Sequence, residues 1–187
     1  MKVKSVRLSR VLGVILVLVA VIVFLLLGTS SASGQYPMDV VPKVNVESGG
    51  SLSITGGTTG ANTIDFGSMG PGTTKEKTLT LGVTANNVWH LTVSKNQDLT
   101  YSILEAKIPS ANFTFKSNGD AVANYVTSNA EFAGVPGCNV VSNGSATGGS
   151  SVNVVYNLVI PGDQPCNDQA FGYYSAVHTY TLVVGTP

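Results

Sequence analysis

The sequence predicts an all-β chain, a sandwich or a barrel, behind an N-terminal hydrophobic segment. Three observations predict it. Apolar and polar residues alternate with a period of two in stretch after stretch beyond Pro37, the pattern of half-buried strands. Gly, Pro and Asn punctuate those stretches at intervals of about 10 residues, as turns do in such folds. No long amphipathic helix follows Leu27, whereas a parallel α/β sheet needs a crossover helix between successive strands.

The hydrophobic segment comes first. Residues 1–10 carry Lys2, Lys4, Arg7 and Arg10 and no acid. Val11 to Leu27 are apolar except for Gly13, and small or polar residues run from Gly28 to Gly34. This is the pattern of a targeting segment, and residues 1–33 are set apart as a signal peptide or membrane anchor. The apolar core of 17 residues is longer than an ordinary signal core and just reaches spanning length, about 17 residues. Thr29 to Ser33 supplies small residues for cleavage, and an uncleaved helix would leave the positive charges inside and the domain outside. Either outcome implies export, to the extracellular space or the cell surface, with membrane contact only through residues 11–27 if the segment stays.

From Gly34 onward there are 154 residues with six Lys, no Arg and ten Asp plus Glu, a net charge of −4. An acidic domain without arginine is unsuited to nucleic acid, which requires a clustered basic face. Ser, Thr and Asn make up 45 of the 154 residues. Val, Ile, Leu and Tyr are interleaved among them at strand spacing, which argues for strands over disorder.

Residues 34–48 read as an N-terminal extended strand and tether. Met38, Val40, Pro42, Val44 and Val46 share one face, and Asp39, Lys43, Asn45 and Glu47 the other. Pro42 cannot donate to a ladder, so this strand belongs at an edge or beside a partner that needs no donor there. Residues 49–187 form the sandwich domain. Leu52 and Ile54, then Ile64 and Phe66, are short runs. Leu79, Leu81 and Val83 alternate with Thr78, Thr80, Gly82 and Thr84. After Asn86-Asn87, Trp89, Leu91 and Val93 alternate with His90, Thr92 and Ser94. Leu99–Leu104 and Phe113–Phe115 are shorter strands, Val152–Ile160 is a long one, and Tyr173–Val184 is the last. Ser102–Lys107 and Ala121–Ala130 have room for a helical turn or two, and Ser142–Ser151 reads as a flexible loop. Seven to ten strands are expected.

The order Ile64-Asp65-Phe66-Gly67-Ser68-Met69-Gly70-Pro71-Gly72, then Leu79-Thr80-Leu81, then Trp89-His90-Leu91-Thr92-Val93 resembles immunoglobulin-like sandwiches of prokaryotic secreted and cell-surface proteins. Gly172-Tyr173-Tyr174-Ser175-Ala176 followed by Tyr180-Thr181-Leu182 is similar to their closing strand, with His178 as a departure from it. The resemblance spans about residues 45–95 and 170–184. It implies a single immunoglobulin-like antiparallel β-sandwich and no active site. Independently of family, Gly67, Gly70 and Gly72 suit a crossover at unusual dihedrals, and the Trp89 ring is expected to anchor the core between sheets.

Chemistry-bearing residues are few. Cys138 and Cys166 lie in turn-rich contexts, and an even pair in an exported chain reads as one disulfide. It would close a loop of about 28 residues and stabilise by roughly 3 kcal/mol. A metal site lacks ligands, because no Cys-x-x-Cys exists and His90 and His178 are the only histidines. His90 is expected on the solvent face, and His178 partly buried and hydrogen-bonded. No Gly-x-Ser-x-Gly elbow or His-Glu-x-x-His pair is present, so no catalytic residue and no cofactor is assigned. Asp163, Asn167 and Asp168 could offer oxygen to calcium, but their spacing departs from the calcium loop and suits turns better. Tyr156, Phe171, Tyr173, Tyr174 and Tyr180 could stack on a sugar, although adjacent strand residues face opposite sides. Asn112 and Asn143 begin glycosylation sequons.

These readings favour a non-enzymatic structural protein, a filament or coat subunit that adds the strand Met38–Val46 to a neighbouring copy. A monomeric adhesion or glycan-binding module, using the loop Asn139–Ser151, is the alternative. A secreted hydrolase is the third reading, and no constellation of residues supports it.

Overall fold

A computed structural model describes residues 36–46, 49–60, 62–101, 105–164 and 174–185. Thirteen strands lie among the described residues, in two sheets. The five-stranded sheet has the order β10 (Ala130–Glu131), β8 (Phe113–Gly119), β12 (Thr147–Val159), β4 (Thr74–Ala85) and β2 (Gly50–Gly56). The eight-stranded sheet has the order β3 (Ile64–Met69), β1 (Tyr36–Val46), β13 (Tyr174–Val184), β5 (Trp89–Lys95), β11 (Cys138–Gly144) and β9 (Asn124–Tyr125). In that sheet β6 (Leu99–Tyr101) lies beside the first residues of β13, and β7 (Ala106–Ile108) lies beyond β6.

Alternation decides which faces meet. Leu79, Leu81 and Val83 of β4 and Val152, Val154, Tyr156 and Leu158 of β12 are buried on one side. Trp89, Leu91 and Val93 of β5 and Tyr174, Ala176, Tyr180 and Leu182 of β13 are buried on the other. All join one hydrophobic cluster, and full burial of a large apolar side chain is worth about 1.5–3 kcal/mol. The β4–β12 ladder is continuous and antiparallel from Val83↔Ser150 to Thr74↔Val159.

Trp89 is fully buried, and its Nε1 donates to the Ser145 carbonyl at 2.7 Å. Gly144 lies flat against the indole, where a Cβ would overlap the ring. The crossover glycines divide: Gly67 and Gly72 have φ of 64° and 75°, the left-handed region that favours glycine, and Gly70 does not.

Several expectations are corrected. The strands are not all antiparallel, because β1 runs parallel to β13. The strand number exceeds ten because short pieces such as β9 and β10 find partners. Ser142–Ser151 is not a loop. Ser142–Gly144 ends β11 in the eight-stranded sheet and Thr147–Ser151 begins β12 in the five-stranded one, where Thr147, Ser150 and Ser151 pair with Ala85, Val83 and Gly82 of β4. Ladder hydrogen bonds are made by the backbone, so a polar, glycine-rich composition does not prevent them. Of the expected helical turns, residues 102–104 lie outside the described residues, Ala106 and Lys107 belong to β7, and Ala121–Ala130 carries β9 and the first residue of β10; the helical turn among the described residues is a 3-10 turn at Ser110–Asn112.

Candidate functional site

The first strand occupies a slot between β3 and β13. Its parallel ladder with β13 runs from Met38↔Tyr174 to Val46↔Leu182. Its antiparallel ladder with β3 is shorter, from Tyr36↔Met69 to Val40↔Ile64, with an irregularity between Pro37 and Asp39. From Val41 to Val46, β13 is the one paired neighbour among the described residues. Pro42 falls in that half, where a missing N–H is tolerated. Met38, Val40 and Pro42 are buried and Val46 is half-buried, but Val44 is 39% exposed. The apolar face expected over Met38–Val46 is therefore corrected at Val44. Residue parity sets a direction, but the core leaves Val44 uncovered, while Val46 beyond it packs against the core.

The outer face of the slot carries a like-charge pair. Asp39 of β1 is the register partner of Asp65 of β3. Partial burial, and then the Asp65 charge, push the Asp39 carboxyl above its ordinary value. Like charges directly opposite each other weaken a strand pair.

The inner face carries His178, the register partner of Pro42 on β1 and of Lys95 on β5. His178 is fully buried, and neither Nδ1 nor Nε2 has a hydrogen-bond partner. Its ring lies 4.1 Å from Phe132, 5.5 Å from Phe113 and 5.6 Å from Tyr156, centroid to centroid. Burial, and then the Lys95 charge, lower its pKa to about 3. The expected partial burial and hydrogen bonding are corrected. Strand alternation places His178 on the face of Ala176 and Tyr180, and the aromatic side chains it meets offer no acceptor in reach.

Two polar groups adjoin this box. The Tyr156 and Tyr180 hydroxyls meet at 2.6 Å, and burial raises both phenols. Lys95 Nζ contacts Asp98 Oδ1 and Ser110 Oγ, and Ser110 Oγ donates to Asp98 at 2.8 Å. Burial alone would raise the Asp98 carboxyl, but the Lys95 and Ser110 hydrogen bonds and the lysine charges outweigh it and hold it low. Sequence reasoning did not find these two clusters or the Asp39–Asp65 pair. Alternation along β13 was the one signal, for His178 alone.

Of the remaining candidates, Cys138 is a half-buried free thiol whose Sγ lies 3.6 Å from the Val93 and Glu131 carbonyls. Burial raises its pKa. Its expected partner Cys166 lies outside the described residues, as do Asn167, Asp168, Phe171, Tyr173 and the segment Val11–Leu27. Asp163 is exposed. Among the described residues no three His, Cys, Asp or Glu side chains group as metal ligands. No described helix is long and apolar enough to cross a membrane. The tyrosine platform is corrected, since Tyr156, Tyr174 and Tyr180 are all buried in the core. His90 is half-buried on the face opposite Trp89 and Leu91, and lines a cleft of about 190 Å³ with Val88, Trp89, Asn139, Ser142 and Asn143. Asn143 is exposed with φ of 53°, whereas Asn112 is half-buried and precedes Thr114, whose hydroxyl is buried without a partner.

No protein-family model and no curated protein matches the chain. Among solved structures it is similar to a family 123 glycoside hydrolase from Clostridium perfringens, described for glycolipid glycan hydrolysis, at 12% identity and a TM-score of 0.31. The match covers 79% of this chain and 23% of the hydrolase, so the chain spans about a quarter of that protein. A likeness this shallow carries no functional argument.

Proposed function

We propose that this chain is a non-enzymatic extracellular structural protein, an immunoglobulin-like sandwich that serves as a surface filament or coat subunit and assembles by exchanging β1 between copies. One observation carries the reading. β1 contributes its apolar side chains Met38, Val40 and Pro42 to the core, yet it joins the eight-stranded sheet through a long parallel ladder on one side and a short, interrupted one on the other. A strand bound mainly by main-chain hydrogen bonds and alternate side-chain pockets can be supplied by a second copy with no new chemistry. Export through residues 1–33 belongs to the same reading.

Deleting Gln35–Val46 is expected to leave a folded but less stable domain that forms no polymers under the electron microscope. Normal polymers from that variant, or an unaltered chain that stays monomeric across concentration and pH, would overturn the proposal. The adhesion reading rests on one feature, the cleft beside His90 and Asn139. A glycan array scored against Asn139→Ala tests it.

A further inference from the structure

We infer that His178 is an acid sensor for the seam between β1 and β13, so that protonation in mild acid frees β1 from its slot while the β4–β12 ladder stays closed. The use of this device in assembly rests on the strand-exchange reading above. The sensing itself does not.

Histidine is the side chain whose ordinary titration falls in mild acid. In water a neutral imidazole satisfies one donor and one acceptor, and an imidazolium satisfies two donors and a charge. Folding deprives His178 of all of these, because both nitrogens are buried and unpartnered. The groups packed around it offer no remedy. β8 presents Phe113, and Phe132 follows β10. β12 presents Tyr156, whose hydroxyl is engaged by Tyr180 of β13 itself. Cys138 of β11 faces Tyr180. β1 places Pro42 at the same register level, and β5 places Lys95, a cation tied to Asp98. Lys95 is the charge that acts on His178, and it repels a proton.

Protons therefore favour any state in which the ring reaches water. The folded pKa lies near 3 and the ordinary value at 6.5. The stability contributed by the neutral ring is complete above pH 6.5 and is lost as pH falls from 6.5 towards 3. Linkage across that gap lowers the closed-to-open ratio about 25-fold between pH 7 and pH 5. Asp39 works in the opposite sense, since its raised carboxyl gains by protonation. An ordinary carboxylate range near 4 places that gain towards the acid end of the window in which His178 acts.

The seam is where water enters at least cost. Opening at β5 would break its ladders with both β13 and β11 and expose Trp89. Opening at β1 releases a strand whose other edge is paired, among the described residues, from Tyr36 to Val40, which holds Asp39 against Asp65, and which places a proline at the level of the histidine.

The test is residue-resolved hydrogen exchange on the purified protein, compared as protection factors at pH 7 and pH 5. The expected result is at least a tenfold loss of protection over Met38–Val46, with β4 and β12 unchanged, and no such loss in His178→Leu or His178→Gln. Equal loss in both sheets, or the same loss in the variants, would overturn the inference. Should both variants misfold, the nuclear magnetic resonance shifts of the His178 ring in the unaltered protein decide. A neutral ring in the closed domain at pH 5 is expected, and a protonated ring there overturns the sensor. Polymers are scored by electron microscopy in parallel. An acid-opened seam with no polymer at either pH supports the sensor and sinks strand exchange, whereas polymers with a seam that acid leaves closed sink the sensor alone.

Discussion

The β4–β12 ladder and the β1–β13 ladder differ in kind, although both are long. In the first, every inward residue from Leu79 to Val83 and from Val152 to Leu158 is apolar or a tyrosine whose hydroxyl has a partner. In the second, the inward row holds an unpartnered histidine beside a proline, and on its far edge β1 sets Asp39 opposite Asp65 of β3. Length of pairing therefore does not measure how firmly a strand is held. What lies at each register position does. One ladder is the stable spine of the domain, and the other is a seam that can be opened.

Substitutions sharpen that contrast. Val40→Asp would bury an unpaired charge at the seam and should cost about 3–5 kcal/mol, read as a lowered urea midpoint together with loss of polymers. Its counterpart Val44→Asp, at a position 39% exposed, should change stability by no more than about 0.5 kcal/mol. Equal effects at the two positions would erase the distinction between the buried and open halves of β1.

In the spine, Leu81→Ala should cost about 2–5 kcal/mol by leaving a cavity. Its penalty should be the same at pH 7 and pH 5, because its ladder partners Ile54 and Val152 do not titrate. A penalty that grows in acid would place a pH-sensitive element in the wrong sheet. At the smallest scale, Asp39→Asn should stabilise the domain at pH 7 by about 0.2–1 kcal/mol. The folded Asp39 carboxyl is raised, so its protonated form favours folding and that benefit is lost as pH rises through its folded pKa. The gain from the amide should accordingly fade as pH falls through that folded pKa, and urea titrations at pH 7 and pH 3.5 measure it.

Much of this fold was legible in the sequence because strand alternation is a local property. The rows Leu79-Leu81-Val83 and Trp89-Leu91-Val93, and the burial of Trp89, follow from side-chain parity and chain punctuation. Pairing partners are not local. Nothing in Met38–Val46 says that its neighbour is Tyr174–Leu182, far along the chain, or that the two run parallel. The same limit hid the site. Parity places His178 inward, but its environment comes from Phe113, Phe132 and Tyr156, which three other segments supply. The Asp39–Asp65 opposition depends on register alone. Ser142–Ser151 misled for a different reason, since its composition describes side chains whereas its ladder is made by backbone.

The central claim, that β1 of one copy fills the slot of another, can be tested through the register pair Val41↔Val177, whose Cα atoms are ladder partners at a spacing a disulfide can bridge. The Val41→Cys and Val177→Cys variants are prepared separately, each with Cys138→Ser and Cys166→Ser, then mixed and oxidised under assembly conditions. The account predicts covalent dimers whose linked peptides join one copy's β1 to the other copy's β13, and it predicts that the doubly substituted chain, oxidised as a monomer, forms no polymers. Polymers that grow from the mixture with no such link, or from the locked monomer, would contradict it.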